Sequence, residues 1–496
     1  MEGLRRRLPY LTDLGVDYLW ITPFYPSPQA DHGYDITDHT DVDPVYGTMD
    51  DVDAVIREAH GLGLRIIVDI VPNHTSDQHP WFRTAAASRD AATRAYYVWR
   101  DPAPDGGPPN NWVSKFGGPA WTWHAPTGQY YMHTFLPEQP DLNWANPRVR
   151  DEFDAILRHW LERGVDGFRV DTAHLLTEDP HYRDNPQPIR PASTDPQVIY
   201  DSFEHRYDLD QPDVTDIYRR WHGLLQPYGA MLLGEVFLLT PDQVLRYVDD
   251  GVLDLAFYFP TLKADWDAAA IRESVARAAT MTHRFAWPLS SHDDPRATQR
   301  FGGPDRGARR ALAYLTFLAG LPGSPCILQG DELGLHASDL PVEDLRDPVS
   351  TRNAGAAGRD RSRTPMPWTS GPAFGFTRGR PWIPFPRDTT RGDTVAGQER
   401  DPDSPLHRTR RLLATRRTLP DLQGDLPLHW VTDDGPLIAY RRGSTIVVLN
   451  TSPRPLPTVF DDAAFDVRYV SAGTATSMAG RLGVPPDAAA VLQQRQ

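Results

Sequence analysis

The sequence predicts an α/β protein with a (β/α)8 barrel of the TIM type, one strand short of closure, that carries two additions. Apolar runs typical of strands buried on both faces alternate with helical repeats, which indicates a parallel sheet. A stretch rich in Trp, Pro and Gly over 75–136 interrupts the alternation, and it is too long for an ordinary connection. After Pro420 the pattern changes to short β-like runs, which predict a C-terminal antiparallel β domain.

The first two strands of the repeat are predicted between two helices. Leucines at helical spacing predict the first helix, namely Leu4, Leu8, Leu11 and Leu14. A buried strand follows over 16–23, and Thr48 is the expected N-cap of the next helix. The apolar run 64–71 predicts the next strand.

The repeat resumes after the interruption and continues to the end of the barrel. Asn146 and Pro147 form a favourable N-cap and first helical position, and a strand is predicted over 165–171. Further strands are predicted at 230–237, 252–259, 285–291 and 324–330, so that seven strands are expected in all. The predicted domains are the barrel (1–74 and 137–422), an inserted domain (75–136) and a sandwich-like C-terminal β domain (423–496).

Composition excludes several classes of protein. The 496 residues include 51 Lys and Arg against 66 Asp and Glu, and the net charge of −15 argues against a nucleic-acid binder. One cysteine, Cys326, excludes a disulfide scaffold and is interpreted as a small hydrophobe of the last strand. No run approaches the roughly 20 apolar residues of a membrane span, and no signal peptide is visible. We therefore expect a cytoplasmic monomer or homodimer without nucleic-acid or membrane partners.

Four predicted strands end in polar clusters, and the carboxyl ends of barrel strands form the active-site face. The clusters are DIVPNH (69–74), GFRVDTAH (167–174), GEVF (234–237) and SHDDPR (291–296). Residues two apart on a strand share a face, so Arg169 and Asp171 should point inward together. A guanidinium beside a carboxylate favours its ionised form.

In this order the four clusters resemble the signature regions of the alpha-amylase family of glycoside hydrolases. Four further motifs resemble its oligo-1,6-glucosidase and α-glucosidase branch, namely DHGYDI (31–36), QPDLNW (139–144), QGDELGL (329–335) and GRDRSRTPMPW (358–368). The matching motifs run from about residue 8 to 450, which is nearly the whole chain.

The resemblance implies that Asp171 is the nucleophile, Glu235 the general acid/base and Asp293 the third carboxylate. It also implies substrate-binding residues, namely Asp31, Tyr34, His74, Arg169, Thr172, His292 and Arg363. In these roles the histidines hydrogen-bond the sugar, the tyrosine stacks on it, and the Asp31–Arg363 pair clamps it. Arg169 orients and ionises Asp171.

No cofactor and no metal ion is expected. Asn73 is a metal ligand in some members of the family, but a hydroxyl-binding or structural role is predicted equally well here. Asp69 is interpreted as a structural carboxylate at the end of a strand.

The chemistry of glycoside cleavage explains the three carboxylates independently of the resemblance. The leaving oxygen needs a proton and the oxocarbenium-like centre needs electron density, so one carboxyl group stays protonated and another ionised. Glu235 lies in an apolar strand, where desolvation raises its pKa, whereas Asp171 has Arg169 beside it. The sequence therefore predicts the required asymmetry.

The resemblance also implies that the strand lacking from the count is the first strand of the barrel. Family members begin with that strand and an Asp- and Gly-rich loop that often binds calcium, whereas this sequence begins inside the helix that follows. We expect either a native start upstream of Met1 or closure of the barrel by other means.

The leading hypothesis is a retaining, exo-acting α-glucosidase that hydrolyses short α-glucosides. Thr172, which follows the predicted nucleophile, favours α-1,4-linked or sucrose-like substrates in this branch of the family. A glucosyltransferase or isomerase using the same glucosyl-enzyme is the nearest alternative. A truncated or non-catalytic amylase-like protein is another, although such relatives usually lose the carboxylates that are all retained here.

Overall fold

Seven parallel strands form one curled sheet in the computed structural model, which describes residues 1–193, 195–336, 340–352, 358–432 and 435–495. Along the chain the barrel strands are Tyr18–Ile21, Arg65–Ile70, Gly167–Val170, Met231–Gly234, Leu255–Phe257, Phe285–Pro288 and Ser324–Cys326. Each strand pairs with the next one in this order. The predicted α/β barrel architecture and its seven strands are confirmed.

The sheet is open between its first and last strands. Within the described ranges Tyr18–Ile21 pairs only with Arg65–Ile70, and Ser324–Cys326 pairs only with Phe285–Pro288. Side chains of these two edge strands are half-buried or exposed, whereas the residues of the inner strand Gly167–Val170 are all buried. The upstream start stays a prediction.

The helices between the barrel strands start where the sequence indicates. Thr48 accepts a hydrogen bond from the backbone N–H of Asp51 (3.3 Å), and the Asp51 carboxylate accepts one from the N–H of Thr48 (2.9 Å). Asn146 caps the next long helix through the N–H of Arg148 (3.0 Å). In the described ranges the α-helices are Glu2–Arg5, Leu8–Leu14, Met49–Gly61, Pro80–Ala87, Pro147–Glu162, Pro196–Tyr200, Val214–Leu225, Pro241–Leu245, Ala268–Val275, Ala278–Met281, Ala297–Arg300, Gly303–Ala319, Pro348–Arg352, Val395–Gln398 and Pro405–Thr418. None of these helices is long and apolar enough to cross a membrane.

The interruption after the second barrel strand folds around a small antiparallel sheet. Its strands are Trp99–Arg100, Gln129–Met132 and Trp121–His124, in that order across the sheet. The helix Pro80–Ala87 was not predicted, because its mixture of Trp, Pro and Arg shows no clear helical repeat of apolar residues. Phe82 of that helix stacks on Trp99 with ring centroids 5.6 Å apart, which joins helix and sheet.

The C-terminal region contains two antiparallel sheets. The larger has the order His429–Thr432, Leu437–Arg442, Thr445–Asn450, Ala488–Gln494 and Phe465–Val470, and the smaller has the order Leu456–Asp461, Arg481–Val484 and Thr476–Met478. The predicted antiparallel β structure of the C-terminal region is confirmed, while the exact domain boundaries stay predictions.

The larger C-terminal sheet contacts the barrel at the end of the helix Gly303–Ala319. The buried guanidinium of Arg442 donates hydrogen bonds to the carbonyls of Gly320 (3.1 Å) and Leu321 (3.2 Å). The Tyr440 hydroxyl donates to the carbonyl of Phe317 (2.5 Å). These bonds satisfy carbonyls that a helix end leaves unpaired.

Candidate active site

A single buried guanidinium connects three carboxylates at the carboxyl end of the barrel sheet. Arg169, in the strand Gly167–Val170, is only 2% exposed. Its Nη1 lies 2.9 Å from Asp69 and 2.6 Å from Asp171, and its Nη2 contacts Glu235. The inward direction predicted for Arg169 and Asp171 therefore brings both to the same point as Glu235.

The carboxyl groups of Asp171 and Glu235 contact the same guanidinium, that of Arg169, and the same residue, Thr172. The backbone N–H of Thr172 donates to Glu235 Oε2 (3.1 Å), and the Thr172 hydroxyl donates to Asp171 Oδ2 (3.3 Å). Thr172 has a φ of 42°, an uncommon conformation for a β-branched residue, and this turn aims its N–H at Glu235. Arg169 and Thr172 thus hold the two carboxyl groups side by side.

Burial dominates the ionisation of these two carboxyl groups. It raises the pKa of Asp171 to about 6 and that of Glu235 to about 7, although Arg169 opposes both shifts. From the sequence, the guanidinium of Arg169 is expected to keep the pKa of Asp171 low. One cation shared among three carboxylates does not outweigh desolvation, however. Burial therefore brings both carboxyl groups to titrate near neutrality, where one can be protonated while the other is ionised.

Asp69 is held by contacts within the protein through both of its carboxylate oxygens. It is fully buried, and its Oδ2 accepts hydrogen bonds from Trp20 (3.2 Å) and Tyr34 (3.1 Å) while Oδ1 contacts Arg169. This arrangement agrees with the structural role predicted for Asp69.

Asp293 follows the strand Phe285–Pro288 and is more accessible than the other two carboxylates, with 37% of its side chain exposed. Arg363 Nη2 lies 2.6 Å from its Oδ1. Burial raises the pKa of Asp293, but His292, Arg363 and Arg359 outweigh it and hold that pKa well below its usual range. Asp293 is therefore ionised and faces the opening of the site.

Tyr34 and the two predicted histidines lie beside the carboxylates. The rings of Tyr34 and His292 are nearly parallel, with an interplanar angle of 6°, and the Tyr34 hydroxyl lies 3.1 Å from His292 Nε2. His74 Nε2 lies 2.9 Å from the amide of Gln139. Burial lowers the pKa of His74 to about 4 and that of His292 to about 3, so both rings are neutral at pH 7.

Asp31 and Arg363, the two charged residues predicted to clamp the sugar, each pair with another residue in the structure. Asp31 pairs with Arg359 at 2.5 Å, and Arg363 pairs with Asp293 instead. The clamping of a terminal sugar by Asp31 and Arg363 stays a prediction. The motif GRDRSR contains arginines at every second position, and spacing alone does not distinguish them when the segment forms a short 3-10 turn. Arg359 is further fixed by Asp347, whose Oδ2 lies 3.0 Å from its Nε.

Gln139 is a site residue that the sequence analysis did not identify. Its amide contacts both His74 (2.9 Å) and Asp31 (3.2 Å), and the motif QPDLNW was the available signal. Asn73 donates a hydrogen bond to the buried carboxylate of Asp141 (2.9 Å), so its amide is engaged within the protein.

Comparison with known proteins gives a consistent result. A family model described as alpha amylase, catalytic domain, matches residues 1–424. The chain is 41% identical over 460 residues to a probable alpha-glucosidase of Rhizobium meliloti, a match that covers 89% of this chain and 82% of that protein. It is 35% identical over 505 residues to the trehalose-6-phosphate hydrolase of Escherichia coli, covering 92% and 87% respectively.

A solved structure extends this likeness to the fold. The alpha-glucosyl transfer enzyme XgtA superposes with a TM-score of 0.93 at 36% identity, covering 100% of this chain and 95% of that one. With a family model over most of the chain and relatives of this similarity, the chain belongs to the alpha-amylase family and is a glycoside hydrolase.

Proposed function

We propose that the protein is a retaining, exo-acting α-glucosidase that hydrolyses short α-glucosides through a glucosyl-enzyme on Asp171. The observation that carries this proposal is that the carboxyl groups of Asp171 and Glu235 lie side by side, both in contact with Arg169 and both hydrogen-bonded to Thr172. Retaining glycosidases hold these groups about 5–5.5 Å apart, whereas inverting ones separate them by about 6.5–9.5 Å.

In the proposed mechanism Glu235 is the proton donor and Asp171 is the nucleophile. Glu235 gives its proton to the glycosidic oxygen as the bond from that oxygen to C1 breaks, while the carboxylate of Asp171 forms a bond to C1. Glu235 then takes a proton from water, whose oxygen attacks C1 as the bond to Asp171 breaks. Two inversions at C1 return an α-configured glucose and restore both carboxyl groups.

The remaining charged residues support binding of one terminal glucosyl unit. Ionised Asp293 stabilises the positive charge that develops at the anomeric centre, and the neutral rings of His74 and His292 place no further charge beside it. The Asp31–Arg359 pair, buried behind these residues, limits the pocket to the end of a chain.

The anomer released first provides the test. Proton NMR at early times should detect α-glucose from maltose, and early β-glucose would contradict the retaining mechanism. The Asp171→Asn enzyme should lose several orders of magnitude in kcat while its circular dichroism spectrum stays native.

Glucosyl transfer is a second candidate, because XgtA, which is 36% identical and superposes over the whole chain, is an alpha-glucosyl transfer enzyme. Hydrolysis and transfer share the glucosyl-enzyme and differ only in whether water or a sugar attacks it. Chromatography of products at rising maltose concentration separates the two. Trisaccharide exceeding free glucose at millimolar maltose would favour the transferase.

A further inference from the structure

The chain contains only two lysines, and their ammonium groups both lie near the ring of Phe237. The Nζ atoms of Lys115 and Lys263 are 5.9 Å and 5.5 Å from its centroid. Lys263 is exposed and forms an ion pair of 2.6 Å with Asp294. By contrast, the side chain of Lys115 makes no ion pair or hydrogen bond with any residue that the structure describes.

Three aromatic rings from separate segments surround the ammonium group of Lys115. Phe135, Tyr200 and Phe237 have centroids 5.7, 5.6 and 5.9 Å from Nζ. The backbone N–H of Lys115 donates to the carbonyl of Thr134 (2.9 Å), which fixes the loop beneath the side chain. A cation among aromatic faces is attracted by the rings, but its three N–H donors still require acceptors.

The aromatic cluster lies next to the catalytic carboxylates. Phe237 follows Glu235 by two residues, and Phe135 packs on His74 with ring centroids 5.3 Å apart. Burial lowers the pKa of Lys115, while the charges of Glu235 and Asp171 raise it. Because His74 belongs to the proposed glucosyl-binding pocket, the space between the cluster and Glu235 is where the departing half of a disaccharide would extend.

We propose that Lys115 selects the leaving group, because its ammonium donates a hydrogen bond to a hydroxyl of a neutral sugar that lies beside Phe135, Tyr200 and Phe237. Aromatic faces with a few well-placed polar groups are the usual composition of a small-molecule site. The inference rests on the proposed α-glucosidase function and adds a residue that selects the leaving group.

The charges that face Lys115 favour a neutral sugar over an anionic one. Besides Glu235 and Asp171, Asp208 and Asp201 act on its ammonium. A phosphate placed here would be repelled by these carboxylates and attracted by only one available cation, Lys115. The other lysine, Lys263, is paired with Asp294.

The test compares two substrates that share a glucosyl unit and differ in the leaving group. Maltose releases a sugar, whereas α-glucosyl fluoride releases fluoride and leaves the aromatic cluster empty. Lys115→Met should reduce kcat/KM for maltose at least tenfold more than for the fluoride, because a hydrogen bond from a charged donor is lost. Lys263→Met, which removes the paired lysine over the same ring, should keep the wild-type ratio between the substrates.

Three other results would each contradict a particular part of the proposal. Equal losses with both substrates would mean that Lys115 acts on the fold or on Glu235, and no loss would mean that it binds nothing; both reject the inference. A larger loss for trehalose 6-phosphate than for maltose would reject a neutral leaving group. Wild-type enzyme that releases glucose from neither maltose nor the fluoride would reject the proposed function and this inference with it.

Discussion

The guanidinium of Arg169 serves three carboxylates at once, and this sharing determines how the site titrates. Asp69, Asp171 and Glu235 all have pKa values raised by burial, to about 6, 6 and 7. A site with a separate cation for the nucleophile would hold the pKa of Asp171 far lower. The pH dependence of the enzyme is therefore set by burial.

The first prediction concerns activity as a function of pH. For maltose, kcat/KM should fall below pH 6 as Asp171 becomes protonated and above pH 7 as Glu235 loses its proton. With α-glucosyl fluoride the alkaline decline should weaken, because fluoride leaves without a proton. Steady-state kinetics from about pH 4.5 to 9 measures both profiles, and identical profiles would contradict the acid role of Glu235.

The second prediction concerns stability. The pKa of Glu235 rises on folding from its ordinary value of 4.5 to about 7, so deprotonation between these values destabilises the native state. Glu235→Gln cannot titrate and should be more stable than wild type at pH 8, by about 1–3 kcal/mol, with little difference at pH 4.5. Thermal unfolding followed by circular dichroism at both pH values tests this. A Tm difference independent of pH would rule out the raised pKa.

The third prediction concerns Thr172, whose hydroxyl donates to Asp171. Thr172→Val removes the hydroxyl while preserving the side-chain shape, and it should shift the kcat/KM ratio roughly tenfold from maltose towards isomaltose. Thr172→Ser retains the hydroxyl and serves as the control. If the ratio stays constant in Thr172→Val, linkage preference depends on other residues, such as those of the loop 177–213.

Single-residue roles were predictable where local sequence determines direction. Strand alternation placed Arg169 and Asp171 on one face, and the structure has both at the same point. The partner of Asp31 was not predictable, because Arg359 and Arg363 differ only in how a short turn orients them. Contacts between segments this far apart in the chain depend on the packed barrel.

At the scale of single elements, the inner barrel strand Gly167–Val170 leaves no room for a side chain at Gly167. A Cβ atom there would lie 2.5 Å from the carbonyl oxygen of Met231 in the neighbouring strand. Gly167→Ala should therefore reduce the free energy of unfolding by about 1–3 kcal/mol. The control is Gly61→Ala, where nothing lies within 4 Å of the added atom, and chemical denaturation measures both. If the two variants had equal free energies of unfolding, the neighbouring strand would have to shift and accommodate the added methyl group at no cost.

Elements whose local and tertiary preferences agree were predicted well, and in one strand the two preferences conflict. The helices capped by Thr48 and Asn146 begin where their caps indicate. The segment Ala488–Gln494 has the composition of a helix, yet it is a buried central strand between two others. Pairing with neighbours on both sides overrides helix propensity there.

At the scale of the whole molecule, the C-terminal sheet stabilises the barrel through Arg442. Arg442→Met would leave the carbonyls of Gly320 and Leu321 without their donor, which should cost about 2–5 kcal/mol. Arg441→Met, one residue away and half-buried, is the matched control and should cost less than about 1 kcal/mol. Equal Tm values for the two variants would exclude this anchoring role.

The open edge of the barrel sheet carries the only thiol of the chain. Cys326 ends the strand Ser324–Cys326, and burial raises its pKa to about 12, so little reactive thiolate exists at neutral pH. Its side chain is half-buried, so a motion of this edge that admits more water weakens the desolvation and increases the reactivity of the thiol. The rate at which a coloured thiol reagent modifies the unaltered protein therefore reports how often this edge of the barrel sheet opens. The measurement needs no engineered label.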